Sequence, residues 1–354
     1  MCRTILLPIL FVIALAASSC SLPVGFTGGA SAGILVTQDP LATVTPTPFL
    51  PLPPTETSTP PPPASATPTA QPTPVDPWGD FAGPAEPSAI EIPRPAPVIP
   101  FGPDVVNILL MGSDQRPYEG GHRTDTNIVL SLDPEAQTVT MFSVPRDLYV
   151  YIPGWRVDRI NSADVRGGPE MIEQTILYNF GIPIHHWARV NFYGFVRGID
   201  LLGGIDVEIT DYLSDNCQHT SYFYTPGTVR HMDGTVALCY VRQRQLTGDL
   251  DRMRRAQEVL RALFSRVVSL DGLSRVPELY GEFSSLVETD LTVGDLLPLI
   301  PLATAVSGDS AAIRQYSVDG DMVTLWRVPS SGASVLLPVQ DSVRLLLQTA
   351  FPYQ

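Results

Sequence analysis

The sequence predicts an α/β domain carried behind a long proline-rich tether. Three short apolar runs after residue 104 read as strands, helical periodicities follow them, and prolines crowd the first hundred residues.

Residues 5–17 (ILLPILFVIALAA) form an apolar segment after one charge, Arg3. About thirteen residues suit a signal-peptide core, whereas a membrane span needs about 20. The following ASSC resembles a lipoprotein cleavage box, with Ala17 where leucine is usual. Three outcomes stay open: lipid anchoring at Cys20, an uncleaved anchor helix extending toward Phe26, and simple secretion. Each puts the folded part outside the cytoplasm, and the first two fix it to a membrane.

Residues 1–20 are thus the leader, and 21–103 the expected disordered linker. Of the 36 prolines, 23 lie in residues 1–103. Proline lacks the backbone donor, and the segment has too few large apolar residues to offset the entropy of ordering. At about 3.1 Å per residue, some eighty residues reach at most roughly 250 Å. The Thr/Ser content equally suits a passive spacer or a glycosylated stalk.

The folded part is expected over 104–354. VVNILLMG is a buried-strand run, TNIVLSLD alternates before the turn PEAQ, and TVTMFSV alternates and stops at Pro145. If the second strand runs antiparallel between the other two, three segments share one edge of the sheet. They are GSDQR (112–116), HRTD (122–125) and PRD (145–147). That rim carries Asp114, Arg116, Arg123, Asp125, Arg146 and Asp147.

Helices follow. GPEMIEQTILYNFGI has helical spacing and a stop at Gly181, and FYGFVRGIDLLGG is a second helix. The third starts near Asp249, with Met253, Ala256, Leu260, Leu263 and Val267 on one stripe. Arg254 and Arg261 point away from it. Arg252 sits at its edge in the first turn, with Arg255 on the same flank. A cation opposes the dipole there unless an anion lies between guanidinium and helix start. After residue 270, TDLTVGDLLPLIPLATAV reads as a proline-broken helix, and SVLLPVQDSVRLLLQTAF as a terminal amphipathic helix.

All 22 cationic side chains are arginine, which points to composition bias, so only clustering and position inform. Five of them, Arg242, Arg244, Arg252, Arg254 and Arg255, fall within residues 242–255. The net charge of −14 argues against non-specific nucleic-acid binding. Guanidinium forks match phosphate oxygens in pairs, and paired carboxylates suit magnesium. Together they describe a diphosphate site for phosphoryl transfer. No Walker loop or Rossmann glycine fingerprint is present, which excludes a nucleotide kinase of those types. Beyond the leader, Cys217 and Cys239 remain, and in an exported chain two such cysteines pair. The five histidines, including His185 and His186, show no ligand spacing.

Six motifs in order resemble the LytR–CpsA–Psr (LCP) family: NILLMGSDQR, HRTDTNIVLSLDP, FSVPRDLYVYIPG, DRINSADVRGGPEMIEQTI, GIPIHHWARVNFYGFVRGIDLLGGIDVEI, and MDGTVALCYVRQR…GDLDRMRRAQEVL. The resemblance covers 104–268, with a weaker tail to 354. It implies a mixed sheet flanked by helices, with a hydrophobic pocket for a lipid tail. It also implies a magnesium-dependent ligase that moves a glycopolymer from polyprenyl diphosphate to a peptidoglycan sugar, with loss of polyprenyl phosphate.

By motif match Asp114 and Asp125 would hold Mg2+. Arg116, Arg123, Arg146, Arg242, Arg244 and Arg252 would hold phosphate oxygens, with Arg123, Arg146, Arg244 and Asp249 closest to the chemistry. Asp249 has three readings: helix cap, orienter of an arginine, or base. Two departures stand out. Arg159 replaces the family lysine, and Ala256 stands where the family often has the first glutamine of RQQ. Gln257 lies about 100° further round the helix. One lost hydrogen bond to a charged group costs about 1.5–3 kcal/mol. Two rival readings are a diphosphatase, in which water replaces the sugar, and a non-catalytic lipid-binding wall protein.

Overall fold

The computed structural model describes residues 79–115, 123–243 and 248–352, excepting the side chains of 215, 248–250 and 310. β1 (Val106–Ser113), β2 (Thr124–Asp133) and β3 (Thr138–Val144) form an antiparallel meander, with β2 in the middle as the rim argument requires. Asp133 Oδ1 accepts the Ala136 N–H (2.9 Å) and closes the β2–β3 turn. β4 (Tyr149–Tyr151) and β5 (Val157–Arg159) make a small hairpin.

α1 (Asn161–Phe180) is kinked at Gly167–Gly168, ahead of Pro169, and ends at Gly181 with φ 69°. β6 (His186–Asn191) returns parallel to β1, and the Asn191 side chain caps α2 (Phe192–Leu201). β7 (Ile205–Glu208), β8 (Leu213–Cys217), β9 (Thr220–Tyr224) and β10 (Val229–Met232) pair as β7 with β10 and β8 with β9. Asp233 caps α3 (Gly234–Arg242), which leads to the long α4 (Gly248–Ser269). α5 (Val276–Phe283) precedes β11 (Val287–Thr289), which adds to β6.

The proline-broken helix is α6 (Val293–Leu296), a short 3-10 turn and α7 (Ile300–Ser307), with prolines in the first turns where no N–H is missed. β12 (Ile313–Ser317) adds parallel to β3, and β13 (Val323–Arg327) pairs with β14 (Ser334–Pro338) before α8 (Gln340–Ala350). The terminal helix is therefore shorter than its sequence suggests. Ser334–Pro338 is spent on a strand, because VLLP pairs with β13 and proline cannot sit inside a helix.

The main sheet has six strands in the order β11-β6-β1-β2-β3-β12 and is mixed. Ile128, Leu130 and Leu132 face α4 through Val259, Leu263 and Val267, while Leu109, Val129 and Phe142 face α1 and α8. Burial on both faces explains why these strands read as near-continuous apolar runs.

The packed body starts before Asp104. Residues 79–103 hold no regular element, yet they run as a strap along the α1 side. Tyr151 and Tyr178 donate hydroxyl hydrogen bonds to the carbonyls of Ala82 (2.7 Å) and Pro93 (2.6 Å), and the Ile99 N–H donates to Gly181 O (2.8 Å). A Cβ at Gly181 would meet the Pro97 carbonyl, so glycine serves both the left-handed turn and the strap. Cys217 and Cys239 are joined, tying β8 to α3. Among the described residues no helix is long and apolar enough to cross a membrane.

Candidate active site at the sheet edge

The meander register places Ser113 opposite Thr124 and Asn127 opposite Val144. The end of β1, the start of β2 and the end of β3 therefore meet at one edge. Asp114 and Arg123 are locked there through the backbone: the Arg123 N–H donates to Asp114 Oδ1 (2.7 Å) and the Asp114 N–H to Arg123 O (3.1 Å). Arg146 Nη1 binds Asp125 Oδ1 at 2.8 Å. Arg146 Nε lies 3.3 Å from Asp147 Oδ2, and Asp147 Oδ1 lies 3.3 Å from Arg159 Nε. Asp125, Arg146, Asp147 and Arg159 thus form one chain of alternating charge along the edge.

α4 brings Arg252 to the same place. Its side chain is buried, donates to the Asp125 carbonyl (2.6 Å) and lies 3.9 Å from Asp125 Oδ2. Arg242, in the last turn of α3, stacks on the Phe192 ring at 4.4 Å. Between sheet and helices lies an apolar cavity of about 420 Å³, lined by Leu110, Ile128, Val190, Phe195, Val259 and Leu263 among others. Among the described residues its charged lining is Asp125, Arg242 and Arg252. A second, smaller apolar cavity of about 90 Å³ shares Leu260 and Leu263 with it and continues toward α7. Ala256, Leu260, Leu263 and Val267 of the α4 stripe wall these cavities.

Arg255 does not share the flank of Arg252. It is buried beside Tyr240 and donates to the Gln243 carbonyl. Burial lowers its pKa, and burial with the neighbouring Glu258 pushes the Tyr240 hydroxyl upward. Tyr240 donates to Glu258 Oε2 (2.6 Å), so this cluster joins α3 to α4. Gln257 is likewise committed away from the cavity. Its amide donates to Ser143 Oγ (2.8 Å) and Tyr316 O (2.9 Å), pinning α4 to β3 and β12. Ala256 lines the cavity. Arg254 pairs with Asp211 and Asp251 on the outer side.

Arg116, Arg244 and Cys20 lie outside the described residues, as does the side chain of Asp249. Sequence reasoning missed Phe192 and Phe195, although VNFYGF directly after a strand was visible. It also missed Arg189, which binds the buried Asp164 (2.7 Å) and Glu288.

Asp114, Asp125 and Thr124 cluster at adjacent strand ends and offer only oxygen donors. Thr124 Oγ1 is buried without a hydrogen-bond partner. A magnesium ion takes one or two carboxylates and completes its shell with phosphate and water, so this donor set fits such an ion in kind.

Comparison with known proteins agrees with this architecture. TagU of Oceanobacillus iheyensis, a polyisoprenyl-teichoic acid–peptidoglycan teichoic acid transferase, is 35% identical over 230 residues, which is 63% of this chain and 69% of that protein. TagT of Bacillus subtilis, of the same description, is 29% identical over 229 residues, 62% of this chain and 70% of that one. The crystal structure of B. subtilis TagV matches with a TM-score of 0.60 at 28% identity, covering 72% of this chain and 100% of that one. The LytR_cpsA_psr family profile matches residues 97–348, beyond the 104–268 that the motifs mark out. With most of its folded part inside that match, the chain belongs to the LytR–CpsA–Psr family.

Proposed function

We propose that this protein transfers a glycopolymer from a polyprenyl diphosphate carrier to a sugar hydroxyl of peptidoglycan, on the outer side of the membrane. The carrying observation is an apolar cavity whose charged lining, Asp125, Arg242 and Arg252, sits at the arginine-rich sheet edge. A diphosphate with a greasy tail is the ligand class that satisfies both ends. The relatives named above act, by their descriptions, on polyisoprenyl-linked teichoic acid and peptidoglycan.

The prenyl chain lies in the cavity against Phe195, Val259 and Leu263, with the smaller cavity beyond Leu260 taking its end. The diphosphate lies at the rim. Arg252 and Arg146 hold their forks on Asp125, so they are pre-ordered before phosphate arrives. Arg242 lies over the Phe192 ring, and the Arg123 backbone is tied to Asp114. Arg116, Arg244 and Asp249 are assigned here from the motifs. Preorganised guanidinium charge stabilises the oxygens that gain charge in transfer, without reorganisation during the step. Asp114 and Asp125 would hold Mg2+, which supplies further neutralisation of the phosphate oxygens.

In the reaction the acceptor oxygen forms a bond to the phosphorus bearing the polymer. The bridging P–O bond breaks, its electron pair leaves with polyprenyl phosphate, and the hydroxyl proton passes to that phosphate. An exported, tethered domain suits a carrier embedded in the membrane and an acceptor in the wall.

The test mixes full-length protein, Mg2+, a prenyl diphosphate-linked oligosaccharide and soluble peptidoglycan strands. Coupled release of prenyl phosphate and phosphodiester-linked polymer is expected. Release of prenyl phosphate with free polymer phosphate would instead make the protein a diphosphatase. Binding without turnover would make it a carrier.

A further inference from the structure

On the opposite, α1 side of the sheet edge lies a second large cavity, which shares only Arg123 with the residues assigned to the diphosphate. We propose that this groove binds the acceptor glycan, an inference that rests on the transfer reaction proposed above. The groove measures about 820 Å³, inside the roughly 300–1,000 Å³ of ligand sites. Three separate segments wall it: the strap at 87–89, the β4–β5 hairpin with the start of α1, and the loop and strand at 328–335.

Its chemistry differs from the apolar cavity in kind. Its charges are largely paired already. Arg156 binds Asp158 (2.7 Å) and Glu86 (2.9 Å), and Arg159 binds Asp147 (3.3 Å) and the Ser334 carbonyl (2.8 Å). Trp155 is held by the Arg156 and Arg166 guanidiniums at 4.4 and 4.3 Å. What such walls offer a ligand is a mixture of hydroxyl, amide and guanidinium groups: Ser88, Asn161, Ser162, Ser330 and Ser331 with Arg123. A polyhydroxylated amino-sugar chain, which both donates and accepts, suits this mixture. A prenyl chain does not.

Position adds a second argument. In phosphoryl transfer the attacking and leaving oxygens lie roughly in line on opposite sides of phosphorus. The leaving prenyl phosphate departs toward the apolar cavity on the α4 side. The attacking hydroxyl must then come from the other side of the rim. The groove lies on that side, and it touches the rim twice. Arg123 lines the groove while Asp125 lines the apolar cavity. The chain Asp125–Arg146–Asp147–Arg159 also runs from one cavity to the other, through contacts of 2.8, 3.3 and 3.3 Å.

Ala89→Trp and Ser330→Trp test the assignment. Both positions are exposed groove residues outside the phosphate machinery, on different walls. Initial rates are measured with full-length protein against a soluble oligomer of alternating N-acetylglucosamine and N-acetylmuramic acid, and separately against the prenyl diphosphate-linked donor. Thermal melts check that each variant folds. The expected result is a rise of about tenfold in acceptor KM, equal to about 1.4 kcal/mol, with donor KM unchanged. If wild-type protein transfers and neither variant shifts acceptor KM, or if donor KM rises instead, the groove assignment is overturned and the reaction stands. A wild-type protein that releases no prenyl phosphate removes both.

Discussion

The two faces of the sheet treat the same edge in opposite ways. On the α4 face the core residues Val259 and Leu263 run without interruption into open space, and small Ala256 keeps that space open. On the α1 face the core closes on itself at Phe142, Phe180 and Phe351, and the groove beyond it is walled by ion pairs and hydroxyls. The contrast teaches that one set of strand ends can border an apolar cavity and a polar groove, with the charged groups kept at the seam. The seam is the ladder from Asp125 to Arg159, and substitutions can break it or either face alone.

The largest effect is expected at the seam itself. Arg146→Ala removes the link between Asp125 and Asp147 and, in the proposed reaction, a preorganised donor to phosphate. Transfer should fall by about 10²–10³ in kcat, the usual cost of losing one such donor. Rapid-quench assays at saturating donor measure it, with circular dichroism as the check on folding.

Next, the disulfide holds α3, whose Leu238, Val241 and Arg242 line the apolar cavity and not the groove. Cys217→Ser should cost about 3 kcal/mol for a loop of this length. The Tm should drop by roughly 2–4 °C per kcal/mol in calorimetry.

A more selective cut is Leu260→Trp, at the junction of the two apolar cavities. Long-tailed donors should lose about tenfold in KM, or about 1.4 kcal/mol, while a donor with a truncated tail is unaffected. Equal loss for both tails would mean that the cavities do not house the chain. Acceptor KM should not move, which sharpens the contrast with the groove variants.

The smallest effect lies on the α1 face. Burial, then Asp290 and Glu170, push Glu173 up to about 7. A raised carboxyl contributes stability that is complete below about 4.5 and lost as pH rises through about 7. Glu173→Gln should therefore melt higher than the wild type at pH 8 and match it near pH 4, read by scanning calorimetry.

Much of this was legible in the strand patterns. Alternation with turn residues at PEAQ marks the β2–β3 hairpin, whereas the antiparallel pairing of β1 with β2 is an assumption at that point, and the structure supplies it, putting Asp114, Arg123, Asp125 and Arg146 on one edge. The α4 stripe was equally plain, because helical periodicity shows which side is buried. Periodicity cannot tell a filled side from an open one, so the stripe's second role as a cavity wall stayed hidden. Arg252 and Arg255 illustrate the same limit. Both flank the stripe in sequence, yet one reaches the rim and the other turns inward to Tyr240. The groove was invisible for a different reason. Its walls come from residues near 88, 158 and 330, and no local pattern announces contacts across such separations. Proline content also misled at the strap. Short of donors, that segment makes no helix or ladder, but its carbonyls still accept from Tyr151 and Tyr178.

That strap sets a rule for handling the molecule. A recombinant fragment begun at Asp104, where the sequence first looks orderly, would strip two buried phenols of their acceptors and bare the rings of Tyr151 and Tyr178 to water. It would also arrive with one bank of the groove missing at 87–89. Loss of activity in such a fragment would report on a badly placed cut, and any expression design should keep the chain from residue 79 onward.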